Sequence, residues 1–320
     1  MPPQVRAFFI SLFQVILLTA AMIALIFVAI GPDPDHYFAG SQLQLELLKN
    51  TPSPRIILVG GSNVSFGIDA ELMQRTLGIP VINDGLHAGL GIAPLRELQE
   101  YIRAGDVIII SLEYQLFSSR DVMEGDLAFL ADWIEYSQGR IQYLSDPRRE
   151  APAIYATMLQ RKVNRRVNTF LFGGSLAEVR DVFIGTKYNA NGDFIGHLDQ
   201  ASTRPRNITV EPYPVSNVQD EIINFLEQFH QIAREKGAEV YFEAPASRRT
   251  NCKNTGEDSL ANFFRTLEER SSIPVLTPLD EVCLPDKYFF DTAYHLNAEG
   301  RQIRTERLIE NWIQLTASAR

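Results

Sequence analysis

Charge is missing from a long stretch near the start of the chain. From Ala7 through Ile30 no Asp, Glu, Lys or Arg occurs, and only Ser11, Gln14 and Thr19 interrupt the run with polar groups. As a helix rising about 1.5 Å per residue, these residues reach roughly 36 Å, which is enough to cross the hydrocarbon of a bilayer with some tilt. The length argues against an ordinary core helix, and no A-x-A triplet occurs within or just after the run to mark a signal-peptide cleavage site. The expectation is an uncleaved transmembrane anchor over residues 1–30, in contact with the lipid bilayer through residues 7–30. Arg6 precedes the span and Gly31-Pro-Asp-Pro-Asp35 follows it. The positive-inside rule then puts the N-terminus in the cytoplasm and the rest of the chain outside the cytoplasmic membrane, in a periplasmic or extracellular space.

Other absences narrow the chemistry. No Cys/His spacing suggests zinc, and neither G-x-x-x-x-G-K nor G-x-G-x-x-G occurs. The sequence therefore points to no metal and no nucleotide cofactor. Lys and Arg number 30 against 39 Asp and Glu, for a net charge of −9. A nucleic-acid partner, which favours a basic face, is excluded on that balance. There are no internal repeats and no low-complexity tracts. Cysteine is nearly absent: Cys252 and Cys283 are either two free thiols or, in an oxidising compartment, a disulfide closing a loop of about 30 residues and worth roughly 3 kcal/mol.

Short apolar strands and amphipathic helices alternate through the rest. Residues 31–54 read as a tether with a helical patch at Gln42–Leu48. Strands are predicted at Arg55–Gly60, Pro80–Asn83, Asp106–Tyr114, Val240–Ala244 and Pro274–Leu276. Helices are predicted at Ala70–Leu77 with Asp69 as its cap, Pro94–Arg103, Val218–Lys236, Ser259–Arg270, and from the Asn297 cap to about Leu315. This alternation predicts an α/β domain over 55–320: a three-layer α/β/α, flavodoxin-like fold whose parallel sheet has about five strands. Residues 115–217 break the rhythm and read as an insertion at the carboxyl end of the sheet. It has a helix near Ala128–Tyr136, a basic stretch (Arg161, Lys162, Arg165, Arg166) that reads as a solvated helix face or a contact for acidic lipid or glycan, and an Asn191-Gly192 turn signal before His197.

The stretch Ile56-Ile-Leu-Val-Gly-Gly-Ser62 ends a buried strand in two glycines and a serine. That puts Ser62 at the carboxyl edge of the sheet, where α/β proteins bind ligands, with a helix start nearby to favour an anion. A serine needs a base. Of five histidines, His36 and His230 read as structural, whereas His295 lies in a loop just before the last helix with Asp291 four residues earlier. Asp291 can hold the imidazole in one tautomer, leaving it free to take the Ser62 proton. Gly173-Gly-Ser175 repeats the Gly-Gly-Ser string inside the insertion and reads as a decoy.

In this arrangement the chain resembles the SGNH/GDSL hydrolase superfamily. Gly60-Gly61-Ser62-Asn63 stands where that family has Gly-Asp-Ser-Leu. Val81-Ile-Asn-Asp-Gly85-Leu-His87-Ala-Gly89 stands at its second block, and Asp291…His295 at its last. The resemblance covers about 55–114 and 238–315. It implies that backbone N–H groups of Ser62 and of Gly85 or Gly89 bind the oxyanion; His87, beside those glycines, reads either as lining the pocket or as structural. Three departures stand out. Gly61 replaces the family's Asp, the Asp-to-His spacing is four rather than three, and Glu113 replaces the Asn that usually donates to the oxyanion. As an anion Glu113 cannot donate, so it needs a raised pKa or another role, unless Asn63 or Gln115 substitutes for it.

An anchored, outward-facing member further resembles DltD-like D-alanylation proteins and alginate-acetylation proteins, partners of membrane-bound O-acyltransferases. The expectation is a serine esterase or O-acyltransferase acting through an acyl-enzyme on an acylated glycan or envelope polymer, with a membrane-bound O-acyltransferase as a second partner. The competing expectation is a catalytically degenerate protein of the same fold that binds a glycan or such a partner.

Overall fold

The structure is a computed structural model that describes residues 2–172, 182–200, 218–255 and 257–318. Its centre is a parallel sheet of four strands: β1 (Ile56–Gly60), β2 (Val81–Gly85), β3 (Val107–Ser111) and β4 (Glu239–Phe242), in the order β2-β1-β3-β4. A single parallel bridge from Phe242 to Val275 continues the sheet beyond β4. The strand expected at Pro274–Leu276 is thus reduced to one ladder rung. A separate two-stranded ribbon pairs β5 (Ser247–Arg248) with β6 (Cys283–Leu284).

Alternate side chains of β1 explain the layering. Ile57 and Val59 enter one core with α5 (Ala93–Tyr101), α8 (Asp220–Glu235) and α10 (Glu257–Arg270). Ile56 and Leu58 enter the other with α4 (Ala70–Leu77) and α11 (Ala298–Ser318). A strand buried on both faces has no polar side, which is why the sequence shows an unbroken aliphatic run there. The fold is a three-layer α/β/α sandwich preceded by an N-terminal helix. Asp69 caps α4 by accepting the Leu72 N–H at 2.9 Å.

That first helix, α1 (Pro3–Ala29), is 27 residues long and apolar enough to span a membrane. Residues 3–22 are exposed, and Ile23, Ile26, Phe27 and Ile30 are half-buried at helical spacing. They pack on α7 (Pro147–Phe172), where Lys162 Nζ donates to the Ile30 carbonyl at 2.5 Å and to Glu135 at 2.7 Å. A cation on the last carbonyls of a helix complements its dipole.

Two expectations change here. The tether is part of the domain. Residues of α2 (Gly40–Asn50) are buried, and Arg55, itself fully buried, donates to the Leu48, Thr51 and Tyr101 carbonyls while pairing with Asp106. The described part of the insertion holds the expected helix as α6 (Leu127–Tyr136), and α7, whose basic stretch is not a solvated face throughout because Lys162 is buried against Glu135; the two helices enclose a third core with Leu86, Leu90 and Phe38. Gly173-Gly-Ser175 lies outside the described residues.

Cys252, in α9 (Arg249–Thr255), and Cys283 are joined in a disulfide across 31 residues. Removing it by Cys283→Ser frees the loop in the unfolded chain. The change is expected to cost about 3 kcal/mol of unfolding free energy in urea titrations of the detergent-solubilised protein. Dithiothreitol should reproduce that loss in the unaltered chain and add nothing to the variant.

Candidate active site

The register of the sheet gathers the candidates. Gly60 pairs with Gly85 on one side and with Ser111 on the other. Ser62, His87 and Glu113 each lie two residues beyond that row, at the carboxyl edge where three parallel strands end together. The two glycines are required by close approach. A Cβ on Gly60 would stand 2.0 Å from the Ser111 carbonyl oxygen, and one on Gly61 would stand 2.3 Å from Glu113 Oε1. Ser62 opens the short helix α3 (Ser62–Gly67), is half-buried, and its hydroxyl has no hydrogen-bond partner among the described residues.

His295 comes from the opposite end of the chain. Its Nδ1 lies 2.7 Å from Asp291 Oδ1, and its ring stacks on Phe66 at 4.0 Å and 8°. Phe66 is one helical turn after Ser62, and helical side chains lean toward the N-terminus, so this stacking holds the imidazole over the face that carries Ser62. With Nδ1–H donating to Asp291, the lone pair is on Nε2. Backbone bonds build the loop: Phe290 N–H donates to the His295 carbonyl, and His295 N–H donates to Thr292 Oγ1 at 2.9 Å. No hydrogen bond joins Ser62 to His295 among the described residues. The His–Asp pair is made, and the serine hydroxyl is not bonded to it.

Under the turn sits a polar network with no counterpart in the sequence reading. Arg304 of α11 binds Glu243 through Nε at 2.9 Å, donates from Nη1 to the Asn63 carbonyl at 2.7 Å, and donates from Nη2 to Asn63 Oδ1 and Ser111 Oγ. Asn63 Nδ2 donates to the Ser111 carbonyl at 3.0 Å. All of Asn63 is buried, which corrects its assignment as a pocket donor: its side chain ties β3 to α3 beneath the serine. Gln115 is exposed, and its Oε1 accepts from Tyr294 in the His295 loop.

Two further corrections concern the oxyanion hole. The Gly85 N–H donates to Asn83 Oδ1 at 3.0 Å, and the Gly89 N–H donates to His87 Nδ1 at 3.0 Å. Side chains two residues upstream have taken both donors. Glu113 Oε1 accepts the Asn63 N–H at 3.2 Å, while Oε2 is buried without a partner among the described residues. Burial pushes the Glu113 carboxyl above its ordinary pKa, against smaller lowering effects of Asn63 and the nearby His295. A groove of about 560 Å³ opens beside Gly89, walled by Leu116, Val122 and Asp126.

The remaining histidines near the site are neutral at physiological pH. His87 packs against Phe129 at 3.8 Å, and burial, followed by the charge of His295, lowers its pKa to about 4. With Nδ1 accepting, its proton is on Nε2. His197 is fully buried, donates from Nε2 to the Leu296 carbonyl at 2.9 Å and rests on Phe66, and burial lowers its pKa to about 3. Both folded values lie below the unfolded 6.5, so the unfolded chain binds more protons below that pH. Stability from these two groups is therefore complete above pH 6.5 and lost as pH falls toward 4 and 3. The expected loss between pH 7 and pH 5 is about 2 kcal/mol for each imidazole. His197→Gln, measured by urea unfolding at both pH values, should recover about half of the sum.

The Asn189–Asp193 turn docks on the free edge of β2. Asn83 N–H donates to the Asn191 carbonyl, and Asp193, fully buried, accepts from Asn83, Asn189, Arg301 and the Ala70 N–H. The turn thus supports α3 from below and carries His197 to Phe66. Sequence offered Asn-Gly as the only signal of it. Among the described residues no group of three or more His, Cys, Asp or Glu side chains is placed to hold a metal.

No family model matches the chain, and no curated protein matches it. Among solved structures, protein YxiM from Bacillus subtilis is similar over 82% of this chain and 57% of its own, at 11% sequence identity and a TM-score of 0.38. The chain spans a little over half of that protein's length, and a likeness at this level carries no argument about chemistry.

Proposed function

We propose that the chain is a membrane-anchored serine esterase or O-acyltransferase of SGNH/GDSL type that removes or moves acyl groups on a cell-envelope glycan. The observation that supports this best is the Asp291–His295 pair stacked on Phe66, one turn from Ser62 at the carboxyl edge of the sheet. Ser62 Oγ attacks the acyl carbonyl while His295 Nε2 takes its proton. The tetrahedral intermediate collapses, and the protonated imidazole hands its proton to the departing sugar oxygen. Water or a second hydroxyl then attacks the acyl-enzyme by the same proton path, which makes the first outcome hydrolysis and the second transfer. Asp291 stabilises the imidazolium and keeps Nε2 toward the serine.

An outward-facing domain, with the N-terminus in the cytoplasm, agrees with the flanking charges of α1 and with the Cys252–Cys283 disulfide, a bond that persists in oxidising spaces. The polymer acceptor and a membrane-bound O-acyltransferase partner are proposed on the resemblance, and that placement is compatible with both. The test is labelling of the detergent-solubilised chain with a fluorophosphonate probe, beside Ser62→Ala. A Ser62-dependent adduct supports an acyl-enzyme, and no adduct on either protein counts against it.

A second reading has its own support. Ser62 lacks a bond to His295, and both second-block glycine donors are engaged within the protein. These features suit a degenerate site that binds an acylated glycan or an acyltransferase without turning it over. Retention of an acylated polysaccharide by the unaltered chain, with no loss of its acyl groups over time, would favour this reading.

A further inference from the structure

Glu113 explains two departures at once. Its carboxylate occupies the volume that a side chain on residue 61 would enter: a Cβ there would meet Oε1 at 2.3 Å, Oε2 at 2.4 Å and Cδ at 2.6 Å. Gly61 and Glu113 are therefore one structural unit, in which the acid reaches into the serine turn from β3 and the turn carries no side chain of its own. Glu113 is 1% exposed, and no cation pairs with it among the described residues. Arg304, the nearest buried guanidinium in the network, is taken up by Glu243, Asn63 and Ser111. An ionised carboxylate there would be buried and unpaired, packed against the turn that carries Ser62, where attack on an acyl carbonyl would build further negative charge. That arrangement would be costly in the resting protein and worse in the transition state.

As the neutral acid the same group fits. One oxygen accepts the Asn63 N–H, and the other, buried without a partner among the described residues, is the oxygen that would carry the proton. A buried polar atom without a partner calls for an explanation, and at a reactive site the missing partner can arrive with the substrate. The Gly85 and Gly89 N–H groups are already engaged, so the hole otherwise holds the Ser62 N–H and too few companions.

We infer that Glu113 works as a neutral carboxylic acid whose Oε2–H donates to the acyl oxygen bound at Ser62. The role rests on the acyl-enzyme reading above. No covalent change occurs at Glu113, which keeps its proton through the cycle. The raised carboxyl pKa agrees with this state, and burial is its largest cause. Titration of the acid at high pH would replace the donor with a negative charge and switch the site off.

The experiment compares the full chain with Glu113→Gln, Glu113→Ala and Ser62→Ala in detergent, with p-nitrophenyl acetate as the probe ester. Two readouts are taken: kcat across pH, and the difference infrared spectrum between the unaltered chain and Glu113→Gln. Glu113→Ala should lower kcat about 10²–10³-fold, the effect of losing one oxyanion donor, with KM little changed. Glu113→Gln, which keeps an N–H donor, should restore most of that loss and remove the alkaline fall in kcat. The infrared difference should contain a protonated-carboxyl band at neutral pH. A carboxylate band in its place would overturn the inference, as would a Glu113→Ala variant as fast as the unaltered chain while Ser62→Ala is dead. If Ser62→Ala left turnover unchanged, the acyl-enzyme reading would fall first and the donor role with it.

Discussion

Ser62→Ala is expected to abolish fluorophosphonate labelling and to lower turnover of an aryl ester by about 10⁴-fold or more, with almost no effect on folding. The separation of the two effects follows from the geometry. The Ser62 hydroxyl bonds to nothing among the described residues, and alanine suits the first position of α3, so the change in stability should stay within about 0.5 kcal/mol. Loss of activity would then be loss of the nucleophile and not of the fold. His295→Ala should cost as much as Ser62→Ala, and the double variant should cost no more than either, because groups that act as one unit are not additive. Asp291→Asn tests the tautomer: with an amide opposite Nδ1, the imidazole can flip its proton to Nε2 and lose the lone pair that faces the serine. A fall on the order of 10⁴ with intact Ser62 is the expected result. Chromogenic ester kinetics and probe labelling read all four variants. If His295→Ala labels as fast as the unaltered chain, the base assignment fails even where Ser62 reacts.

The layers could be read from the sequence because they depend on local periodicity. A doubly buried strand such as Ile56–Gly60 must be aliphatic throughout, and helices such as Asp220–Glu235 must show one apolar stripe. Of α7 only the basic stretch could be read as a helix face, and its length and inward side were missed for two physical reasons. Pro152 sits inside it, and its inward stripe runs Ile154, Met158, Lys162, with the lysine made tolerable by Glu135 and the Ile30 carbonyl. A charged residue in an apolar stripe looks like a break until its partners are seen. The placing of Ser62 at the carboxyl edge could be read from the aliphatic run that precedes it, whereas the gathering of His87 and Glu113 beside it follows from the register of β1 with β2 and β3. Which backbone N–H groups remain free does not, because it depends on where Asn83 and His87 turn their side chains. The Cys252–Cys283 bond is of the same kind: two cysteines 31 residues apart are compatible with either state, and only the approach of α9 to β6 decides. Arg304 left no trace at all, since an arginine in an amphipathic helix ordinarily reads as surface.

Arg304 gives the other large expected effect. It is 4% exposed and its partner Glu243 is 2% exposed, so neither charge has water to fall back on. Arg304→Met should destabilise the chain by about 3–5 kcal/mol, because it leaves the Glu243 carboxylate buried and alone. Replacing both, Arg304→Met with Glu243→Met, removes the orphaned charge and should recover most of that loss, since a buried ion pair is often no more stabilising than well-packed apolar side chains of similar volume. Activity should not follow stability. In the double variant the Asn63 carbonyl, Asn63 Oδ1 and Ser111 Oγ still lack the three guanidinium donations that fix the turn. A displacement of about 1 Å at a nucleophile can cost on the order of 10²-fold in rate. The expected pattern is a urea midpoint close to that of the unaltered chain together with probe labelling at least tenfold slower. Stability and labelling recovering together would mean that Arg304 serves the core alone, and that the Ser62 turn is held by Gly60, Gly61 and Glu113 without it.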